Sequence, residues 1–209
     1  MPETHSDMRV ETTSLPETPA PLQLQAWCYG RTAVVLHWTV AVLLTATAGL
    51  GWYMMSIERE PGSSWYFDLH KSVGIVIAFL VAARVLWRVA NRPEELPVSV
   101  PIWQARLARV TQALLYVLIV LVPITGYLGA SYSKAGVKWF GLATPAWALP
   151  DHDRAEQFFD VHSALVWVLV VMVGMHVAAA LKHLLVDKDG VYQRMGFRSR
   201  HRTGHPPPR

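Results

Sequence analysis

Three stretches of the chain contain no Asp, Glu, Lys or Arg: Ala33–Met55, Val110–Tyr132 and Val161–Leu181, of 23, 23 and 21 residues. At about 1.5 Å of rise per residue, each is long enough as a helix to cross a hydrocarbon layer roughly 30 Å thick. Over the 209 residues, 52% are hydrophobic and 16% charged. Soluble domains carry roughly 25% charged residues, so this balance excludes a disordered chain and points to a small bundle of membrane helices.

A fourth span is shorter in its uncharged part, Ser72–Ala83, between Lys71 and Arg84. Its flanks decide the reading, because Trp65, Tyr66 and Phe67 precede it and Val85, Leu86 and Trp87 follow. A helix over 65–90 then spans the layer, with Lys71 and Arg84 reaching toward opposite surfaces. The expected architecture is an all-α membrane protein, a four-transmembrane-helix bundle with helices over 32–55, 65–90, 104–132 and 155–186 inside a domain covering 31–197. Residues 1–30 hold several prolines and acids, without the basic start and short apolar stretch of a signal peptide, and read as a loose, uncleaved tail. Residues 198–209 form a basic tail.

Orientation follows from the basic residues. The N-terminal tail and first helix start, the 84–109 connection and the C-terminal side hold 14 of the 19 Lys and Arg. The other side holds Arg59, Lys71, Lys134, Lys138 and Arg154. The excess places both termini in the cytoplasm. The basic C-terminal tail suits anionic lipid headgroups beside a span better than nucleic acid. The single cysteine, Cys28, excludes an internal disulfide, a four-thiolate iron–sulfur cluster and covalent c-type haem attachment, and reads as a bystander.

Five of the nine histidines lie in or beside spans. His37 is near the inner end of the first helix, His70 at the outer end of the second, and His162 and His176 at the outer and inner ends of the fourth. His162 and His176 are 14 residues apart, so they lie about 40° apart around the helix and about 21 Å apart along it. One face thus carries imidazoles at two depths. His176 meets His37 at the inner depth and His162 meets His70 at the outer one. Each pair suits a planar macrocycle held from both sides, that is, a bis-histidine b-type haem with no open iron position. A zinc or proton transporter also uses intramembrane histidine, but no carboxylate lies inside the charge-free runs to complete such a site. Gly49, Gly51, Gly74, Gly126, Gly129 and Gly174 keep the helix surfaces thin, which admits a flat ring and equally allows close helix contact. Pro123 is expected to kink the third helix, which offers no histidine and reads as a wall.

Val35-Leu-His37-Trp38, Leu69-His70-Lys71-Ser72-Val-Gly74, Leu121-Val-Pro123-Ile-Thr-Gly126, Asp160-Val-His162 and Gly174-Met-His176-Val-Ala178-Ala-Ala-Leu-Lys-His183 resemble the bacterial cytochrome b561 family over about residues 25–197. The resemblance implies four helices holding two haem b groups in the bacterial inner membrane. His37 and His176 would ligate the cytoplasmic-side iron, and His70 and His162 the periplasmic-side iron. It further implies electron exchange with ubiquinone, and some relatives are similar to superoxide oxidases, which makes a superoxide:ubiquinone oxidoreductase one expectation and a plain electron-transfer protein the other. His183, seven residues beyond His176, suits a hydrogen bond or proton donor to quinone and equally a solvated interfacial side chain. Lys71, Lys134, Lys138 and Arg154 are candidates for drawing a small anion to the outer haem, although seven acids share that side. A cytochrome b subunit serving a hydrogenase- or formate dehydrogenase-like redox partner is the alternative, and a scaffold or metal transporter the non-redox one.

Overall fold

The structure is a computed structural model that describes residues 30–91 and 102–187. The expectations for Cys28, for the N-terminal tail before Gly30 and for the tail over 198–209 lie outside the described residues. Four helices long and apolar enough to cross a membrane are present: α1 (Arg31–Ser56), α2 (Ser64–Ala90), α3 (Ile102–Tyr132) and α4 (His152–Lys182). A single π-helical turn, His183–Asp187, continues α4. α3 begins two residues before the expected start, and α4 three before. The cause in α4 is its cap, Asp151, whose side chain accepts the Arg154 backbone N–H at 3.1 Å and sets the first turn earlier. α3 runs unbroken through Pro123.

The helices pack in chain order, α1 on α2, α2 on α3 and α3 on α4, while α1 and α4 make little direct backbone contact. One apolar cluster joins all four: Val40 of α1, Ile77 and Val81 of α2, Leu118, Ile119 and Val122 of α3, and Leu169 of α4. Ile77 and Leu169 each lie seven residues inward of an outer histidine, His70 or His162. The core is therefore a septum between the two histidine depths. Large apolar side chains elsewhere, such as Val42, Phe79, Leu86 and Val171, are exposed on the helix surfaces. In lipid those surfaces lose nothing by facing outward, so the interior can stay small.

The outer connection between α3 and α4 holds an antiparallel hairpin, β1 (Lys138–Trp139) with β2 (Leu142–Ala143), that the sequence reading did not anticipate. Its two-residue turn, Phe140-Gly141, has positive φ at both positions, 46° and 86°. That geometry matches the strand twist, but a phenylalanine there costs about 1–2 kcal/mol of backbone strain. Ser72, fully buried in α2, offsets it: its Oγ accepts the Phe140 N–H at 2.8 Å and faces the carbonyls of Asp68 (2.7 Å) and Lys138 (3.2 Å). The hairpin is thereby pinned over the outer end of α2, beside His70.

Candidate functional site

The helices α1, α2 and α4 bring four imidazoles together in twos. The His37 and His176 rings stand 6.4 Å apart between centroids, edge to face, and the His70 and His162 rings 6.3 Å apart. Two imidazoles on opposite sides of one metal ion, each bonded at about 2 Å, place their ring centres roughly 6 Å apart. Among the described residues no three His, Cys, Asp or Glu side chains gather. Donors that come only in facing pairs suit a centre whose remaining ligands belong to a macrocycle rather than to the protein.

The outer pair shows how the rings are aimed. His162 Nδ1 lies 2.9 Å from the main-chain oxygen of Val122, so the Nδ1–H tautomer donates to it and leaves Nε2 free to bind a metal. The acceptor belongs to α3, the helix read from sequence as a passive wall. Room for the ring comes from Gly126 on the same helix, where a Cβ would stand only 2.9 Å from two His162 ring atoms. Gly51 of α1 does the same for His70, with a virtual Cβ at 3.2 Å from Cε1. The His70 ring lies beside the Thr47 backbone, as the His162 ring lies beside that of Val122, and Thr47 Oγ1 is buried without a hydrogen-bond partner among the described residues. Buried polar atoms without partners are uncommon in native proteins. Gly49, Gly74 and Gly174 have open space where a side chain would be.

Near the outer histidine level, where the backbones of α1 and α4 scarcely touch, the half-exposed Trp52 and Trp167 bridge the two helices with ring centroids 5.4 Å apart.

The four outer cations are distributed unevenly. Lys71 is largely buried, ion-paired to Asp68 at 2.8 Å, and donates to the Gly136 carbonyl at 3.0 Å. It is tied into the loop instead of reaching for the surface. Lys138 meets the other Asp68 oxygen at 3.3 Å, so two lysines share one carboxylate and the cluster keeps one net positive charge. Arg154 pairs with Asp151 at 3.1 Å and covers the Tyr132 ring. Lys134 is exposed. At the other end, His183 is half-buried and opens the π-helical turn, two helical turns inward of His176.

A model of the prokaryotic cytochrome b561 family matches residues 28–198. Over 172 residues the chain is 33% identical to Cytochrome b561 homolog 2 of Escherichia coli strain K12, covering 80% of this chain and 90% of the relative. It is 28% identical over 173 residues to Probable superoxide oxidase CybB of Yersinia pestis (80% and 94%), and 23% identical over 174 residues to Cytochrome b561 homolog 1 of the same E. coli strain (80% and 96%). With four spans, intramembrane histidine pairs and a family match over nearly the whole described chain, the protein belongs to the prokaryotic cytochrome b561 family, membrane electron-transfer proteins of b-type haem in the bacterial inner membrane.

Proposed function

We propose that the protein carries electrons across the inner membrane through two haem b groups, taking them from superoxide on the periplasmic side and giving them to ubiquinone. The observation that supports this most is the pair of imidazole pairs, 6.4 and 6.3 Å between centroids, at two depths of one bundle. His37 and His176 would hold the inner haem, His70 and His162 the outer one. Haem iron held by two imidazoles supplies reversible one-electron chemistry with no vacant position. The chain's own residues do the rest. Val122 and Gly126 orient His162, and Gly51 makes room for His70. The apolar septum keeps the two sites apart, and the hairpin over α2 holds Lys71 and Lys138 beside the outer pair. With 14 of 19 Lys and Arg on the inner side, both termini face the cytoplasm.

The overall reaction balances as two superoxide ions giving two dioxygen molecules and two electrons, which with two protons convert one ubiquinone to ubiquinol. Superoxide is small enough to react at a haem edge without a docking surface. The net charge of the Asp68 cluster, with Lys134, attracts the anion, while His183 at the inner rim is placed to hand a proton to quinone. The name of the Yersinia relative supports the choice of donor.

The test is a superoxide flux over the purified, haem-replete protein. The haems should become reduced, at a rate that falls as salt is added, and oxidised ubiquinone should reoxidise them, with His183→Ala slowing only that second step. Haems that stay oxidised under the flux but are reduced promptly by ubiquinol would replace this reading with a quinol-oxidising carrier for a redox protein partner.

Gly126→Ala probes the aiming of His162. The new Cβ would stand 2.9 Å from the ring, so the imidazole must leave its place against the Val122 carbonyl. Haem affinity at one site should fall about 10- to 100-fold, the usual cost of disturbing a ligand's supporting contacts. Haem titration would show it, and unchanged affinity at both sites would remove Gly126 from the outer site.

A further inference from the structure

α2 repeats the arrangement of α4. His70 is followed at 14 residues by Arg84, as His162 is by His176. Arg84 therefore lies about 40° around the helix from His70 and about 21 Å further in, at the inner histidine level. Three neighbours agree with that level. The guanidinium carbon stands 5.7 Å from the centre of the Tyr116 ring of α3, and its charge lies within electrostatic reach of both His37 and His176. Each helix thus contributes one residue to the inner layer: His37, Arg84, Tyr116 and His176.

Arg84 is half-buried in a membrane span. The ion pairs of Asp68, Asp151 and Glu156 stand at the outer end, and among the described residues none involves Arg84. The next arginine inward, Arg88, has a side-chain acceptor in Gln112 at 3.0 Å. Among the described residues Arg84 has the face of Tyr116, which compensates the charge but accepts none of its five N–H donors as a carboxylate would. A cation kept at this depth with no acid among the described residues is expensive, and such residues point to an anionic partner. Haem b brings two carboxylates of its own.

We propose that Arg84 is a positioning residue of the inner site, its guanidinium binding a carboxylate of the haem held by His37 and His176 and its charge favouring the reduced form of that haem. This rests on the two-haem reading above. Reduction adds one negative charge, and a fixed positive charge beside it in a low-dielectric layer acts with little screening. Electrons arriving from the outer site are thereby drawn inward.

Redox titration of the holoprotein, followed spectroscopically, tests this with Arg84→Gln, Arg84→Lys and Arg88→Gln. In Arg84→Gln one of the two potentials should fall, enough to change the reduced-to-oxidised ratio about tenfold at a fixed ambient potential, or about 59 mV for one electron. The other should stay. Arg84→Lys should recover most of the shift, and Arg88→Gln should move neither potential comparably. If Arg84→Gln loses haem instead, loss of a single haem that Arg84→Lys retains supports the same contact. Two unchanged potentials in Arg84→Gln, or an equal shift in Arg88→Gln, overturn the proposal. A wild-type protein with one haem and one potential would overturn the two-haem reading itself, before Arg84 is in question.

Discussion

Alanine at His37 or His176 is expected to cost the protein one haem, and alanine at His70 or His162 the other, each single variant holding one haem per chain instead of two. Each substitution removes one of two imidazoles that stand 6.4 or 6.3 Å apart between centroids, and with it one of the two side chains that would hold the haem. Residues that act as a unit are strongly non-additive, so a second alanine within a pair should change little further. His37→Ala combined with His176→Ala should still retain one haem, whereas His37→Ala combined with His70→Ala should retain none. Haem per protein and reduced-minus-oxidised spectra decide it. Matching spectra for His37→Ala and His70→Ala would break the proposed pairing.

That His37 faces His176 and His70 faces His162 was legible from spacing alone, because helical periodicity and alternating span direction set both angle and depth. The spans were legible for a related reason: lipid tolerates few charges, so charge-free runs mark helices with little ambiguity. α2 was harder, since Lys71 and Arg84 shorten its clean stretch to 12 residues, and its flanking aromatics carried the reading. What stayed hidden depends on main chain or on distant partners. The Val122 carbonyl that orients His162 has no side-chain signature, and Gly126 looked like any small residue at a helix contact. The hairpin at 138–143 was invisible because its turn uses Phe140 where Asn or Asp usually stands, and the serine that secures it is 68 residues away. Lys71 reads in sequence as a cation free to snorkel, since its pairing with Asp68 and Gly136 exists only once the outer loop is folded onto α2.

The two half-reactions should come apart when one haem site is removed. In His70→Ala protein, superoxide should reduce the remaining haem only at background rate, while ubiquinol should still reduce it promptly. In His176→Ala protein the pattern should reverse. The inner site lies about 21 Å deeper than the outer one, the rise of 14 helical residues. Between them stand Val40, Ile77, Val81, Leu118, Ile119, Val122 and Leu169, all buried and apolar. A small anion cannot follow that path, because moving a charge into such surroundings costs far more than binding returns. Electron transfer weakens steeply with distance, so without the outer haem there is no stop within reach of the periplasmic surface. Quinone is confined differently: it moves in the lipid, and in the proposed reading it meets the inner level near His183, which His70→Ala leaves untouched. Stopped-flow reduction of each variant by superoxide and by ubiquinol, at matched haem content, gives the four rates required. Superoxide reducing the remaining haem of His70→Ala as fast as wild type would place its reaction at the inner site and end the transmembrane reading.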